Sequence, residues 1–183
     1  MRIVLASTSP RRRELFATLG IPFEIMAPKF EEQSTPLPPS EEAMYFAEQK
    51  ARSLVDLCPD SLLLGSDTLV ACDGEKLGKP KDIEDAIRIL RKLSGKTHWV
   101  HTALVLLDTA TGSLKSHVES VAVTFYPISE EDNFNYVKSG EPMGKAGAYA
   151  LQGKGRAFIS RVDGDEEAVI GLPLTPIRKW LGL

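Results

Sequence analysis

The chain has 183 residues, 43% of them hydrophobic, enough for one sizeable core or for one domain with a pronounced cleft. Its 22 Lys and Arg against 25 Asp and Glu leave a net charge of -3, which excludes a general nucleic-acid or anionic-membrane surface for want of cationic excess. Positive charge is therefore local and any anionic partner small; two lone cysteines, Cys58 and Cys72, and no signal-peptide or membrane-span pattern point to a cytoplasmic protein.

Residues 2–6 read as a buried strand that breaks into "STSP". Ser9 then caps a helix with Pro10 at its first position, Leu15, Phe16 and Leu19 on its apolar face and Gly20 at its end. "FEIMA" (23–27) predicts a second strand, and the proline-rich run from Pro28 to Pro39 a loop. Ser40 is expected to cap a helix over 41–57, and "SLLLGSDTLVAC" (61–72) to form an apolar strand interrupted in its middle. Asp82 caps the next helix, with Ala86, Ile87, Leu90 and Leu93 facing inward and Gly95 closing it. "THWVHTALVLLD" and "KSHVESVAVTFYP" flank a turn at Thr109–Ser113 and predict a long hairpin. Ser129 and Asp132 open a further helix in the manner of a capping box. A glycine-rich segment (144–155), a strand over 156–162 and a short helix from about 174 complete the chain. Early alternation with a late hairpin predicts a mixed α/β sheet with flanking helices, in one domain with two lobes around a cleft.

Asp67 stands in a strand whose other residues are apolar, where an uncompensated carboxylate is heavily desolvated. It either caps a strand end or is delivered to a cleft as a general base or metal ligand. Arg11, Arg12 and Arg13 crowd a helix N-terminus, where the macrodipole disfavours cations and free N–H groups favour anions. They either decorate a solvated turn or await a phosphate or carboxylate, for which Ser7 and Ser9 supply further donors. Lys50, Lys79 and Lys145 are the other basic candidates; Lys79 is set between a Gly and a Pro. Gly144, Gly147, Gly153 and Gly155 are spaced for close backbone approach, yet neither a P-loop nor GxGxxG is present. His98 and His101 fall on opposite strand faces, so a soft-ligand metal site is not supported, whereas Glu31, Glu32 and Asp67 suit Mg²⁺ shared with phosphates. No GxSxG occurs and no Cys/His pairing is supported, which argues against covalent catalysis.

These residues, with "LASTSPRRRELF", "AEQKA", "GSDT", "GKP", "LSGKTHWV", "SGEPMGKAGAYALQGKG" and "VIGLPL" in order, give a chain that resembles the Maf family of nucleoside triphosphate pyrophosphatases over essentially residues 1–183. The resemblance implies an elongated, two-lobed mixed α/β domain with a deep central cleft, similar to inosine-triphosphate pyrophosphatases and frequently homodimeric. It implies hydrolysis between the α and β phosphates to a monophosphate and pyrophosphate, with Mg²⁺ or another divalent metal such as Mn²⁺. Position by position, it makes Asp67 the proton acceptor that activates water and has Ser7, Arg12, Lys50 and Lys79 hold the triphosphate, with Glu32 joining Asp67 at the metal. The family's dTTP/UTP branch carries Arg, Thr and Gln at its specificity positions, matched here by Arg11, Thr68 and Gln152, whereas the 7-methyl-GTP branch has Trp, Gln and Glu. The Gln152 amide can pair with a uracil or thymine edge through one donor and one acceptor. Gly144 stands where the dTTP/UTP branch often has Asp, and Thr102–Ala103 replaces the usual "TG". The expected role is house-cleaning of dTTP, UTP and modified pyrimidine nucleotides. The alternatives are 7-methyl-GTP or purine triphosphates, or a nucleotide-binding regulator of septum formation.

Overall fold

The computed structural model describes residues 1–183. The apolar start of the chain forms strand β1 (Arg2–Ala6), which turns through Ser7 and Thr8 into helix α1 (Pro10–Ala17). Ser9 caps that helix as its sequence predicts, its side chain accepting from the Arg12 N–H, with Pro10 at a position where a missing N–H is harmless. Next come β2 (Glu24–Met26), α2 (Pro39–Arg52), β3 (Ser61–Cys72) and β4 (Glu75–Leu77), then α3 (Ile83–Leu93) and the hairpin of β5 (Thr97–Asp108) and β6 (Leu114–Phe125). The chain finishes with α4 (Glu130–Lys138), β7 (Ile159–Asp163), α5 (Glu166–Ile170) and α6 (Leu174–Leu181).

The seven strands form one sheet in the order β2-β1-β3-β5-β6-β7, with β4 paired to β3. β1 runs parallel to both β2 and β3, whereas β3–β4 and β6–β7 are antiparallel, so the sheet is mixed as expected.

The chain divides into two compact units: residues 1–67, 102–119 and 171–183, and residues 68–101 and 120–170. The first unit is cored by Leu5, Phe16, Leu64, Leu104, Leu172 and Ile177. The second is cored by Leu77, Ile89, Leu90, Val121, Phe125 and Tyr136. Within the first, α2 lies directly on β3: a Cβ placed on Gly65 would sit 2.0 Å from the Ala47 carbonyl oxygen, so only glycine fits. The small residues Ala43, Ala47 and Ala51, all fully buried on α2, make that approach possible.

Three side-chain caps match their predicted positions. Besides Ser9, Asp82 accepts from the Asp85 N–H at 2.8 Å, and Ser129 accepts from the Asp132 N–H at 3.1 Å while its hydroxyl donates to the Asp132 carboxylate at 2.7 Å.

Other elements differ from expectation. α2 starts one residue before Ser40, after Pro38 and with no side-chain cap, and ends at Arg52; residues 55–57 make a separate 3₁₀ turn. β3 is not interrupted: its polar centre has partners, so the strand continues through Gly65, Ser66 and Asp67. On α3 the expected Ala86, Leu90 and Leu93 are fully buried and Ile87 packs partly buried against the core, and Ile89 joins them fully buried. Residues 154–158 form a 3₁₀ turn, β7 begins only at Ile159, and α5 was not predicted.

Candidate active site

The parallel register between β1 and β3 pairs Ala6 with Gly65. Ser7 and Asp67 therefore emerge beyond the paired ends of adjacent strands, the end at which α/β sheets place their ligands. Ser7 is buried and its hydroxyl oxygen accepts the Ser9 N–H at 3.1 Å, fixing the turn into α1. Arg12 is half-buried, and its Nε donates to the Gly171 carbonyl at 2.9 Å. The same carbonyl accepts the buried Ser66 hydroxyl at 3.0 Å, so the residues on either side of Asp67's approach are tied to one backbone oxygen.

Asp67 is 5% exposed and Lys50 6%. The Lys50 ammonium lies 2.5 Å from Asp67 Oδ1 and 2.5 Å from Glu32 Oε1. Two carboxylates from a strand and a loop thus share one lysine from α2. Burial pushes the Asp67 carboxyl above its usual range, with Lys50 and Arg12 pulling against it. Burial likewise lowers the Arg12 guanidinium, opposed by Asp67 and Glu32. The second Asp67 oxygen, Oδ2, is buried and has no hydrogen-bond partner.

That orphaned oxygen is the observation against which a divalent cation can be tested. Asp67 and Glu32 supply hard oxygen ligands, and nowhere do three or more His, Cys, Asp or Glu gather into a protein-only cage. A pair of carboxylates completed by water and phosphate oxygens is the donor set Mg²⁺ prefers, so the residues fit.

Of the predicted site residues, the first unit brings together Ser7, Arg12, Glu32, Lys50 and Asp67. Arg11 is half-buried on α1, Arg13 is exposed beside an open concavity that Ser7, Thr8 and Ser9 also line, and Glu31 is exposed. Thr68, Lys79 and Gln152 belong to the second unit. Thr68 follows Asp67 along β3 and is half-buried; Lys79, on the bend after β4, and Gln152, in the glycine-rich segment, are exposed. The backbone joins the last two regions, Gly147 N–H donating to the Gly78 carbonyl at 3.2 Å. Lys145 is drawn into structure, its ammonium donating to the Glu141 carbonyl at 2.6 Å. His98 and His101 face opposite ways as predicted: His98 is fully buried and hydrogen-bonded to the Tyr149 hydroxyl at 2.8 Å, whereas His101 meets Ser120 at the surface.

Sequence reading missed several contributors. Ser66 and Gly171 are invisible without the fold because they meet across 105 residues, although the "VIGLPL" block contains the glycine. Glu42, 2% exposed, accepts the Thr35 N–H and so anchors the loop that carries Glu32. Nothing in the sequence distinguishes Glu42 from its neighbour Glu41 in the first turn of α2.

A parallel strand feeding a capped helix, with Arg12 and Lys50 set beside the Asp67 and Glu32 carboxylates at the strand ends, defines an α/β protein with a buried cation–carboxylate cluster at the ligand-binding end of its sheet. The model for Maf-like proteins matches residues 2–182, and the chain belongs to the Maf family. It is 44% identical over 181 residues to the dTTP/UTP pyrophosphatase of Bacillus velezensis, covering 98% of this chain and 95% of that one. It is also 44% identical over 181 residues to that of Aquifex aeolicus, covering 99% and 94%. A dTTP/UTP pyrophosphatase of Carboxydothermus hydrogenoformans is 40% identical over 184 residues, covering 98% and 99%. Among solved structures, a nucleoside-triphosphatase / dITP/XTP pyrophosphatase from Mycobacterium abscessus overlaps 70% of this chain and 76% of its own at TM-score 0.47 and 19% identity.

Proposed function

We propose that this protein is a dTTP/UTP pyrophosphatase, converting the triphosphate to the monophosphate and pyrophosphate. The observation that carries the reading is Asp67: a buried carboxylate at the end of a rigid strand, one oxygen on Lys50 and the other without a partner. A structural ion pair needs no such spare oxygen, whereas a base that must take a proton from water does. The relatives' shared name supports the same reaction and the pyrimidine substrates.

In this reading water adds across the anhydride linking the α and β phosphates, and its proton passes to Asp67. Burial raises the affinity of Asp67 for a proton, the direction that suits a proton acceptor. Arg12, held by Gly171, presents a pre-oriented guanidinium to the phosphates, so little reorganisation is needed as charge develops. Ser7, the N-terminus of α1, Lys50 and Lys79 add donors and positive charge. Glu32 and Asp67 would hold Mg²⁺, or Mn²⁺ in its place, which when bound neutralises phosphate charge and polarises the anhydride. Arg11, Thr68 and Gln152 choose the base, Gln152 through its amide. No helix is long and apolar enough to cross a membrane. Both cysteines are buried and unpaired, which suits the reducing cytoplasm where the nucleotide pool lies.

The direct test is a panel of triphosphates given to the purified protein with and without Mg²⁺, following pyrophosphate release. The expected result is Mg²⁺-dependent release, with dTTP and UTP preferred over 7-methyl-GTP and the purine triphosphates. No release from either pyrimidine nucleotide would sink the proposal.

A further inference from the structure

The four glycines of the 144–155 segment suggest close approach to a ligand, but three of them meet the protein itself, Gly147 against Val70 and the other two against polar side chains. A Cβ on Gly153 would sit 2.0 Å from Glu141 Oε1, and one on Gly155 would sit 2.7 Å from the Tyr136 hydroxyl. The bare backbone is what lets these side chains in. Glu141 Oε1 accepts the Lys154 N–H at 3.0 Å, and Oε2 accepts the Gly155 N–H at 3.0 Å. The Tyr136 hydroxyl, on α4, is hydrogen-bonded to the same carboxylate and also accepts the Ala150 N–H at 3.2 Å.

The segment is thus pinned at residue 150 on one side and at 154 and 155 on the other. Gln152 stands between the pins and is itself exposed. Charged acceptors give the stronger class of hydrogen bond, and two adjacent N–H groups on one carboxylate fix direction as well as distance. Burial works against the ionised Glu141 carboxyl, but the Tyr136 hydroxyl and the two N–H groups outweigh it and keep it ionised.

We propose that Glu141, through the clamp it forms with Tyr136 on residues 150–155, is a positioning residue that aims Gln152 and thereby sets base selectivity. It touches no substrate; it acts by holding the backbone that carries the selecting amide. This inference rests on the reading of Gln152 as the base-selecting residue, and the experiment separates the two.

Values of kcat and KM for dTTP, UTP and 7-methyl-GTP are measured for the wild-type protein, Glu141→Gln, Gln152→Ala, the double variant and Tyr136→Phe, with Tm recorded for each. Glu141→Gln is expected to reduce the preference for dTTP over 7-methyl-GTP about tenfold, mainly through KM for dTTP, as expected when a charged hydrogen-bond acceptor is lost. Adding it to Gln152→Ala is expected to change selectivity no further, since an unaimed amide and an absent one are equivalent. Tyr136→Phe removes the pin on Ala150 and one partner of the Glu141 carboxylate while leaving its two N–H contacts, and is expected to act in the same direction by a smaller factor, which keeps the test open if Glu141→Gln folds poorly. A Gln152→Ala variant that loses selectivity while Glu141→Gln and Tyr136→Phe keep it overturns the clamp alone. Unchanged selectivity in Gln152→Ala overturns the underlying reading of Gln152, and the clamp's role with it. A lower Tm in Glu141→Gln with selectivity intact assigns the contact to stability and also overturns the proposal.

Discussion

In the first unit a lysine is clasped by two carboxylates from different elements; in the second a carboxylate clasps two adjacent backbone N–H groups and a tyrosine hydroxyl. The first arrangement is charge against charge in a buried place, which is stabilising only while every member is present. The second is charge against main chain, which fixes where a loop runs and leaves its exposed side chain available. The difference teaches how the proposed chemistry and the proposed selection would be separated: the Lys50 cluster depends on each of its charges, whereas the clamp on 150–155 holds main chain and leaves the side chain at 152 exposed.

The comparison is broken most sharply at Asp67. Asp67→Asn keeps the shape of the strand and removes the proposed base, so kcat is expected to fall by about 100-fold or more with little change in KM. Steady-state pyrophosphate release measures it, and a near wild-type rate would remove Asp67 from the chemistry.

Next comes Lys50→Met, which leaves Asp67 and Glu32 facing one another without their shared cation. It is expected to destabilise the fold by about 3 kcal/mol, as breaking buried ion pairs does. Chemical denaturation gives the value, and millimolar Mg²⁺ should restore part of it by supplying a cation to the same oxygens. Recovery that is identical with and without Mg²⁺ would argue against the carboxylate pair as a metal site.

The second unit is sharpened through His98, which is fully buried with Nδ1 unpartnered. Burial lowers its pKa to about 4 from an ordinary 6.5. The folded state therefore keeps it neutral while the unfolded chain takes up a proton below 6.5. Its stabilising share is complete above that pH, declines as pH falls toward 4, and the loss there is about 3 kcal/mol at most. The pH profile of Tm for His98→Gln, which retains a partner for the Tyr149 hydroxyl, should be flatter than wild type between pH 6.5 and 4. Parallel profiles would place the acid sensitivity elsewhere.

Much of the fold was legible because local chemistry announces it. Ser9, Asp82 and Ser129 start helices with their own side chains, and alternating apolar residues mark the hairpin strands. α2 misled because its start rests on Pro38 and Pro39 and lacks a side-chain cap, so Ser40 looked like the signal. β3 read as interrupted because the partners of Ser66 and Asp67 are remote in sequence: Gly171 for one and Lys50 for the other. The site was legible by residue type, since Asp67 in an apolar strand and arginines at a helix N-terminus are locally anomalous. Glu42 and Glu141 were not, because a carboxylate that binds backbone looks like any surface Glu until the chain has folded around it. The glycines at 153 and 155 announced a close approach without revealing that the approaching group was the protein's own.

The contact between Gly65 and Ala47 sets a dimension. Gly65 and Asp67 lie on the same face of β3, and Ala47 and Lys50 lie one turn apart on α2. With backbone nearly touching backbone at one pair, the Lys50 ammonium three residues further along α2 and the Asp67 carboxylate two further along β3 are left only the span of a direct ion pair. The missing methyl group is thus a gauge, built into the scaffold. Any side chain at position 65 would lengthen the reach of Lys50 by lifting a whole helix, so a laboratory seeking room for a bulkier metal or a longer base has to alter the strand–helix spacing before it alters the charges.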